Sequence, residues 1–146
     1  MQVRRFSPDL KVKIPGGHPG LYFTMIAMNR EMLHGRPDLE AFAAYVHGLP
    51  LELDAPMQVE AMYFEPHGRL DEHSAPHPIL IIVIEGSGMV RIGGPEGEAQ
   101  RVTAGDAVVW PAAVDHTVWT DDERLSAIVI NLRRETSGTD RESEEG

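Results

Sequence analysis

Short runs of β-branched and aromatic residues follow one another along the second half of the chain. Runs of four to eight residues bounded by Gly, Pro and Asp are typical of strands, and many strands at this spacing indicate an antiparallel barrel or sandwich. The pattern therefore predicts an all-β fold. The predicted strands are Met57–Phe64, Ile79–Ile84, Met89–Ile92, Ala107–Trp110, Thr117–Thr120 and Leu125–Leu132.

The chain divides into three parts, 1–56, 57–132 and 133–146. In the first part, residues 1–20 are rich in Pro and Gly and are expected to form an extended arm, followed by a strand over Leu21–Met28. One short helix is predicted at about 38–47, because Asp38 supplies a start signal and Gly48 a stop signal. These elements are expected to pack on a barrel formed by 57–132. The acidic tail, rich in Ser, Thr, Gly and Glu, is expected to be disordered.

The run Ile79–Ile84 does not alternate between apolar and polar residues, which predicts that both of its faces are buried. The outer face of a single barrel is exposed to solvent unless another element or subunit covers it. Either the amino-terminal arm and helix or a second subunit could cover this strand, and we therefore expect a homodimer. Gly86 and Gly88 predict a hairpin between this strand and the next.

The amino-acid composition of the chain excludes some classes of binding partner and site. A chain of 146 residues suits one compact domain, and its net charge of -10 argues against a nucleic-acid partner, since phosphate binding needs clustered Lys and Arg. Residues 135–146 carry four of these ten net negative charges. The absence of cysteine excludes disulfides and thiolate metal sites. The first residues lack the apolar run of a signal peptide and no stretch has membrane-spanning length, so we expect a cytoplasmic protein without a membrane partner.

The segment from Gly105 to His116 carries the clearest motif. Gly105 and Asp106 predict a tight turn, a strand follows, and Pro111 opens a loop that returns His116 toward the interior. The spacing resembles the second motif of the cupin family: Gly, five residues, Pro, one residue, Gly, two residues, His, three residues, Asn. Ala113 and Thr120 replace the second Gly and the Asn. The resemblance implies a double-stranded β-helix, that is, a jelly-roll barrel, over 57–132.

The first cupin motif is matched only in part. When the match is anchored on His73 and Gly86, Ala75 stands in the slot of the second histidine and Ile79 in the slot of the glutamate. In metal-binding cupins these slots and the later histidine, here His116, form the metal shell. The resemblance therefore implies two of the four ligands.

His77 is the obvious substitute ligand. In a regular strand His73 and His77 would lie roughly 13 Å apart, at about 3.3 Å per residue, too far to share a metal. Pro76 and Pro78 favour an irregular segment that could turn His77 inward. His73, His77 and His116 would then hold zinc, iron, nickel or manganese. The alternative is that His77 lies on the surface or at the polar rim of an apolar pocket.

Apolar residues in the vacant slots suggest a hydrophobic cavity. A mainly apolar pocket with a few converging polar groups is the usual form of a small-molecule site. Aromatic residues in such places are also often simple core. The expected lining residues are Met62, Phe64, Ala75, Ile79, Trp110 and Trp119.

Three functions remain open. The first is a metal-dependent enzyme of the dioxygenase, isomerase or decarboxylase type, which would use His73, His116 and His77. The second is a metal-free small-molecule binding or sensor module, which the apolar replacements favour. The third is a purely structural or dimerising barrel. The fold alone does not choose between them.

Overall fold

Ten strands contain almost half of residues 1–133, the part of the chain that the computed structural model describes. The predicted disorder of the acidic tail falls almost entirely outside these residues. The strands are β1 (Val12–Lys13), β2 (Leu21–Asn29), β3 (Leu51–Leu53), β4 (Met57–Phe64), β5 (Arg69–His73), β6 (Ile79–Ile92), β7 (Ala99–Thr103), β8 (Ala107–Trp110), β9 (His116–Trp119) and β10 (Leu125–Leu132).

The strands are ordered β1-β2-β4-β10-β6-β9-β5, with β3 on β2 and with β7 and β8 on β6. Every pairing is antiparallel except that of β2 with β3. The long sheet curls on itself into a jelly-roll barrel, which confirms the predicted fold class. The main core lies inside it and contains side chains such as Leu21, Phe64, Val83, Trp110 and Leu125.

Strand β6 connects the two sides of the barrel. Its first half pairs with β10 and β8, and its second half pairs with β7 and β9. The predicted hairpin at Gly86 and Gly88 is therefore wrong, because the chain continues through both residues. Gly86 has a φ of 77°, and a Cβ there would lie 1.8 Å from the carbonyl oxygen of Arg124. Glycine thus lets one strand bend closely past its neighbour rather than reverse.

Within the single chain the two faces of β6 differ in burial. Ile79, Ile81 and Val83 point into the barrel and are at most 7% exposed. Leu80 and Ile82 are only half-buried, and Ile84 is 54% exposed. The arm and the helices do not cover this outer face, because they pack elsewhere.

The amino-terminal part extends the sheet and builds a second core. Strand β2 pairs with β4 along most of its length. Two helices, α1 (Arg30–His34) and α2 (Leu39–Tyr45), pack nearby, where Leu33 and Phe42 join apolar side chains of β2. The sequence predicted only α2. Asn29 caps the amino-terminal end of α1, where its side chain accepts a hydrogen bond from the backbone of Met32.

The arm is more ordered than a simple extended segment. It contains a 3-10 turn, Pro8–Leu10, and strand β1. The guanidinium of Arg4 donates hydrogen bonds to the backbone carbonyls of Met25, Val46 and Leu49, which fastens the arm to the second core. Within residues 1–133 no helix is long and apolar enough to cross a membrane.

Candidate functional site

The barrel encloses a cavity of about 160 Å3. Alternation along the strands determines which side chains face it, so that residues two apart on β4, β6 and β10 line it together. All three histidines of the predicted site also line the cavity. Of the predicted apolar lining, the cavity contacts Met62, Phe64, Ala75, Ile79 and Trp110.

Trp119 lies outside the cavity, contrary to the expectation from the sequence. Strand β9 begins at His116, and alternation places His116 and Val118 inside and Trp119 on the opposite face. There the guanidinium of Arg91 lies 5.5 Å from the centre of its ring. The sequence predicted a strand that begins at Thr117, but it did not determine on which face of that strand the indole of Trp119 lies.

His73 and His116 form one wall of the cavity. They are direct partners across β5 and β9, and their ring centroids lie 4.7 Å apart. His116 Nδ1 lies 3.2 Å from the carbonyl of Val114, and His73 Nδ1 lies 2.7 Å from the carbonyl of Asp71. A carbonyl only accepts, so each Nδ1 carries the hydrogen and donates it. In the neutral form of either ring, Nε2 then presents a lone pair.

His116 is the most confined of these polar groups. It is 1% exposed, and its ring stacks on Trp110 at 4.0 Å with 9° between the planes. Burial, assisted by the neighbouring His73, lowers the pKa of His116 to about 4, so the ring is neutral at pH 7. Its Nε2 is buried and has no hydrogen-bond partner within the described chain.

The facing wall contains a polar group that the sequence reasoning missed. Asn131 on β10 donates from Nδ2 to Glu60 Oε1 on β4 at 3.3 Å. Its Oδ1 lies 3.1 Å from His77 Nε2, which must therefore donate. Burial raises the pKa of Glu60, while hydrogen bonds from Asn131 and Gln58 oppose that rise. Glu60 could have been found, because it shares the inward face of β4 with Met62 and Phe64.

The polar side chains gather at one end of the cavity. In the sheet, Asn131 is the partner of Ile79, Ile79 is the partner of Trp110, and Trp110 stacks on His116. His73 belongs to this end and is exposed, so solvent reaches the cavity there. We call this the polar end, formed by His73, His77, His116, Glu60 and Asn131. The opposite, closed end is apolar and includes Phe64, Val83 and Leu125.

The family follows from the barrel and its motifs together. Residues 61–131 match the sequence profile of the cupin domain. This barrel is a cupin. No curated protein matches the chain by sequence.

Solved structures share the cupin fold with this chain. DMSP lyase DddQ from Ruegeria pomeroyi DSS-3 is 23% identical, with a TM-score of 0.53, over 62% of this chain and 45% of that one. KdgF from a Halomonas species is 19% identical, with a TM-score of 0.51, over 80% and 82%. A conserved protein of unknown function from Streptococcus pyogenes is 19% identical, with a TM-score of 0.51, over 59% and 72%. At these identities the similarity establishes the fold alone.

The cupin metal shell is incomplete in this barrel. Within residues 1–133, no group of three or more His, Cys, Asp or Glu side chains is placed to hold a metal ion. The structure does not bring the predicted three-histidine set together, because His77 directs its Nε2 to Asn131 rather than toward His73 and His116. Two imidazoles are one ligand short of the three protein ligands usual in catalytic zinc sites.

The arm contributes to the rim of the polar end. His18 accepts at Nδ1 from the backbone of Asp71, and its own backbone donates to the Asp71 carboxylate. The rings of His18 and His73 lie 5.8 Å apart. His18 therefore helps to fix the strand that positions His73.

Proposed function

We propose that this cupin binds a small, mainly apolar organic molecule inside its barrel without a metal. The observation that carries the proposal is His116 Nε2, a buried acceptor with no partner in the described chain, on a residue that lines a mainly apolar cavity. A buried polar atom without a hydrogen bond costs stability. A ligand that donates to this nitrogen would remove that cost.

The size of the cavity limits the ligand. A cavity of about 150 Å3 lined by aliphatic side chains binds benzene in another protein. The cavity here measures about 160 Å3. A single six-membered ring or a branched chain of similar volume fits, with its polar group at the polar end.

Toluene tests whether the cavity accepts an apolar guest. Titration followed by amide NMR should shift resonances of cavity-lining residues, and the midpoint of thermal unfolding should rise with toluene concentration. Ala75→Leu fills part of the cavity at a half-buried position and should weaken binding. Ala107→Leu is the matched control on the exposed face of β8. Absence of cavity shifts in the wild type would overturn the proposal.

A metal-dependent activity is the second candidate. One observation favours it: both His73 and His116 hold Nδ1–H on backbone carbonyls, as metal-binding histidines usually do. A divalent transition metal would then be held by these two Nε2 atoms, with its remaining positions filled by water or ligand. The incomplete donor set counts against this candidate.

Metal analysis separates the two candidates. After incubation with zinc, iron, nickel or manganese and removal of excess, the metal-free proposal expects less than about 0.1 metal per chain, whereas a true site loads close to one. Near-stoichiometric metal that His116→Ala abolishes would instead support the second candidate. Full loading that persists in His77→Ala would show that His77 is not a ligand.

We further propose that two copies pair through the outer face of β8, β6 and β10. Val109 on this face is 62% exposed and is the partner of Leu80, which in turn neighbours Ile130. Six apolar side chains lie on this face: Leu80, Ile82, Ile84, Val109, Ile128 and Ile130. Glu85 borders this patch on β6, where it pairs with Arg124 and accepts a hydrogen bond from Ser126 Oγ. Chains of net charge -10 repel one another, so a mainly apolar face is where a second copy meets little repulsion.

Light scattering tests this pairing. The wild type should have the mass of a dimer, and Val109→Glu should produce monomers because it buries two charges at the interface. Val3→Glu changes an exposed valine of the arm and should leave the dimer intact. A monomeric wild type would contradict the proposal. The cytoplasmic location and the absence of a nucleic-acid partner stay predictions from composition.

A further inference from the structure

The polar end of the cavity offers a guest molecule more hydrogen-bond acceptors than donors. Two donors whose partners are known, His77 Nε2 and Asn131 Nδ2, are used within the Glu60–Asn131–His77 group. His73 and His116 each donate a hydrogen bond from Nδ1 to a backbone carbonyl, which leaves Nε2 as the acceptor. Trp110 Nε1, a buried donor on the residue that stacks on His116, has no hydrogen-bond partner in the described chain. Against this one indole donor, the lining offers two imidazole acceptors and the Glu60 carboxyl.

These acceptors lie on facing walls and include a carboxyl group. Glu60 is 8% exposed on β4, and His116 is 1% exposed on β9. Both line the same cavity. A ligand group between them has to donate hydrogen bonds in more than one direction, and one of its partners is the only carboxyl among the residues lining this cavity in the described chain.

We propose that the ligand is a small primary amine with an apolar body, bound with its ammonium group between Glu60 and the imidazoles of His73 and His116. This rests on the proposed function, of which it names the ligand class. An ammonium group has three donors, no acceptor and one positive charge. Its charge would add to that of Arg133, which already favours the ionised form of Glu60, and a charge-assisted hydrogen bond is roughly twice as strong as a neutral one.

Charge and shape outside the polar end agree with this ligand class. The net charge of -10 attracts cations toward the protein. Burial, the largest influence on Glu60, raises its pKa, and an ammonium beside it would act in the opposite direction. The closed end offers only hydrocarbon, from side chains such as Phe64 and Leu125, to the body of the ligand.

Three probes of nearly equal size test the inference: toluene, benzyl alcohol and benzylamine. Their dissociation constants are measured by NMR titration at pH 7 against the wild type, Glu60→Gln and Glu85→Gln. The wild type should bind benzylamine at least about tenfold more tightly than benzyl alcohol, a difference of 1.4 kcal/mol. Glu60→Gln keeps the shape and removes the charge, and it should reduce the preference to within about twofold. Glu85, which is exposed on β6, is the control and should keep the full preference.

The outcomes separate the two proposals. Toluene binding without a preference for benzylamine would overturn this inference and leave the apolar site standing. A preference for benzyl alcohol would have the same effect and would indicate a neutral hydroxyl ligand. Binding of none of the three would overturn both. The comparison within the wild type needs no variant, so it stands even if Glu60→Gln folds poorly.

Discussion

The closed end and the polar end of the cavity are built on the same strands, but burial of their side chains affects the stability of the fold in opposite directions. At the closed end, Phe64, Val83 and Leu125 are at most 3% exposed and belong to the main apolar core. At the polar end, Glu60 and His116 are almost as deeply buried and are ionisable. Burial of ionisable groups is unfavourable, and apolar packing around them does not compensate for the lost hydration. The difference indicates that the closed end holds the barrel together and the polar end is adapted for binding.

The largest effect is expected at the closed end. Leu125→Ala removes a fully buried side chain and should lower the free energy of unfolding by about 2–5 kcal/mol. Leu132→Ala, at the exposed end of the same strand, is the control and should cost under about 1 kcal/mol. Urea denaturation measures both. If both variants lower the free energy of unfolding equally, the closed end does not hold the barrel together as the comparison requires.

A smaller effect is expected from the charge of His116. Its pKa is lowered to about 4 from an ordinary 6.5, so between these values the unfolded chain binds a proton that the folded chain does not. The free energy of unfolding should therefore fall as pH decreases through this window, by on the order of 2 kcal/mol. His116→Phe should flatten this dependence when urea denaturation is repeated from pH 7 to 4.

An exposed histidine provides the comparison for this measurement. The side chain of His67 is 72% exposed, and His67→Gln should keep the pH dependence of the wild type. If His67→Gln flattens the curve as much as His116→Phe does, the buried imidazole is not its source.

The smallest effect is expected at Glu60, with the opposite sign. Burial raises its pKa, so above the ordinary value of 4.5 the unfolded chain releases a proton that the folded chain retains. The wild type should therefore lose stability as pH rises, relative to Glu60→Gln. The difference should be on the order of 1 kcal/mol, because glutamine can still accept a hydrogen bond from Asn131. Denaturation at pH 5 and pH 8, with Glu85→Gln as control, measures it; a difference that shrinks with pH would contradict the assignment.

Local sequence signals predicted much of the barrel. The limits of β4, β8 and β10 coincide with the predicted strands, because apolar runs bounded by turn residues specify them locally. Strand β5 was missed because its run Arg69–His73 is mostly polar, and β7 because Ala99–Thr103 has mostly exposed positions. β5 is held in place by β9, which is distant in sequence, and β7 by the preceding strand β6, in both cases by pairing rather than by the composition of the strand itself.

The site was predictable only in part. Spacing identified His73 and His116, which the structure places as direct neighbours across two strands. The direction of His77 depended on Asn131, which lies 54 residues away and accepts its hydrogen bond. The inward position of Glu60 followed from the alternation along β4, yet its role required the knowledge that β10 brings Asn131 beside it.

The sequence by itself determined the fold class, the two facing histidines and the loss of the cupin glutamate and second histidine at Ile79 and Ala75. These features rest on local periodicity and spacing, which act between neighbours in the chain. Only the tertiary structure decided that His77 joins Asn131 and Glu60, that Trp119 faces outward, and that Gly86 continues a strand. Each of these depends on strand register and on contacts between distant segments, which no local pattern encodes.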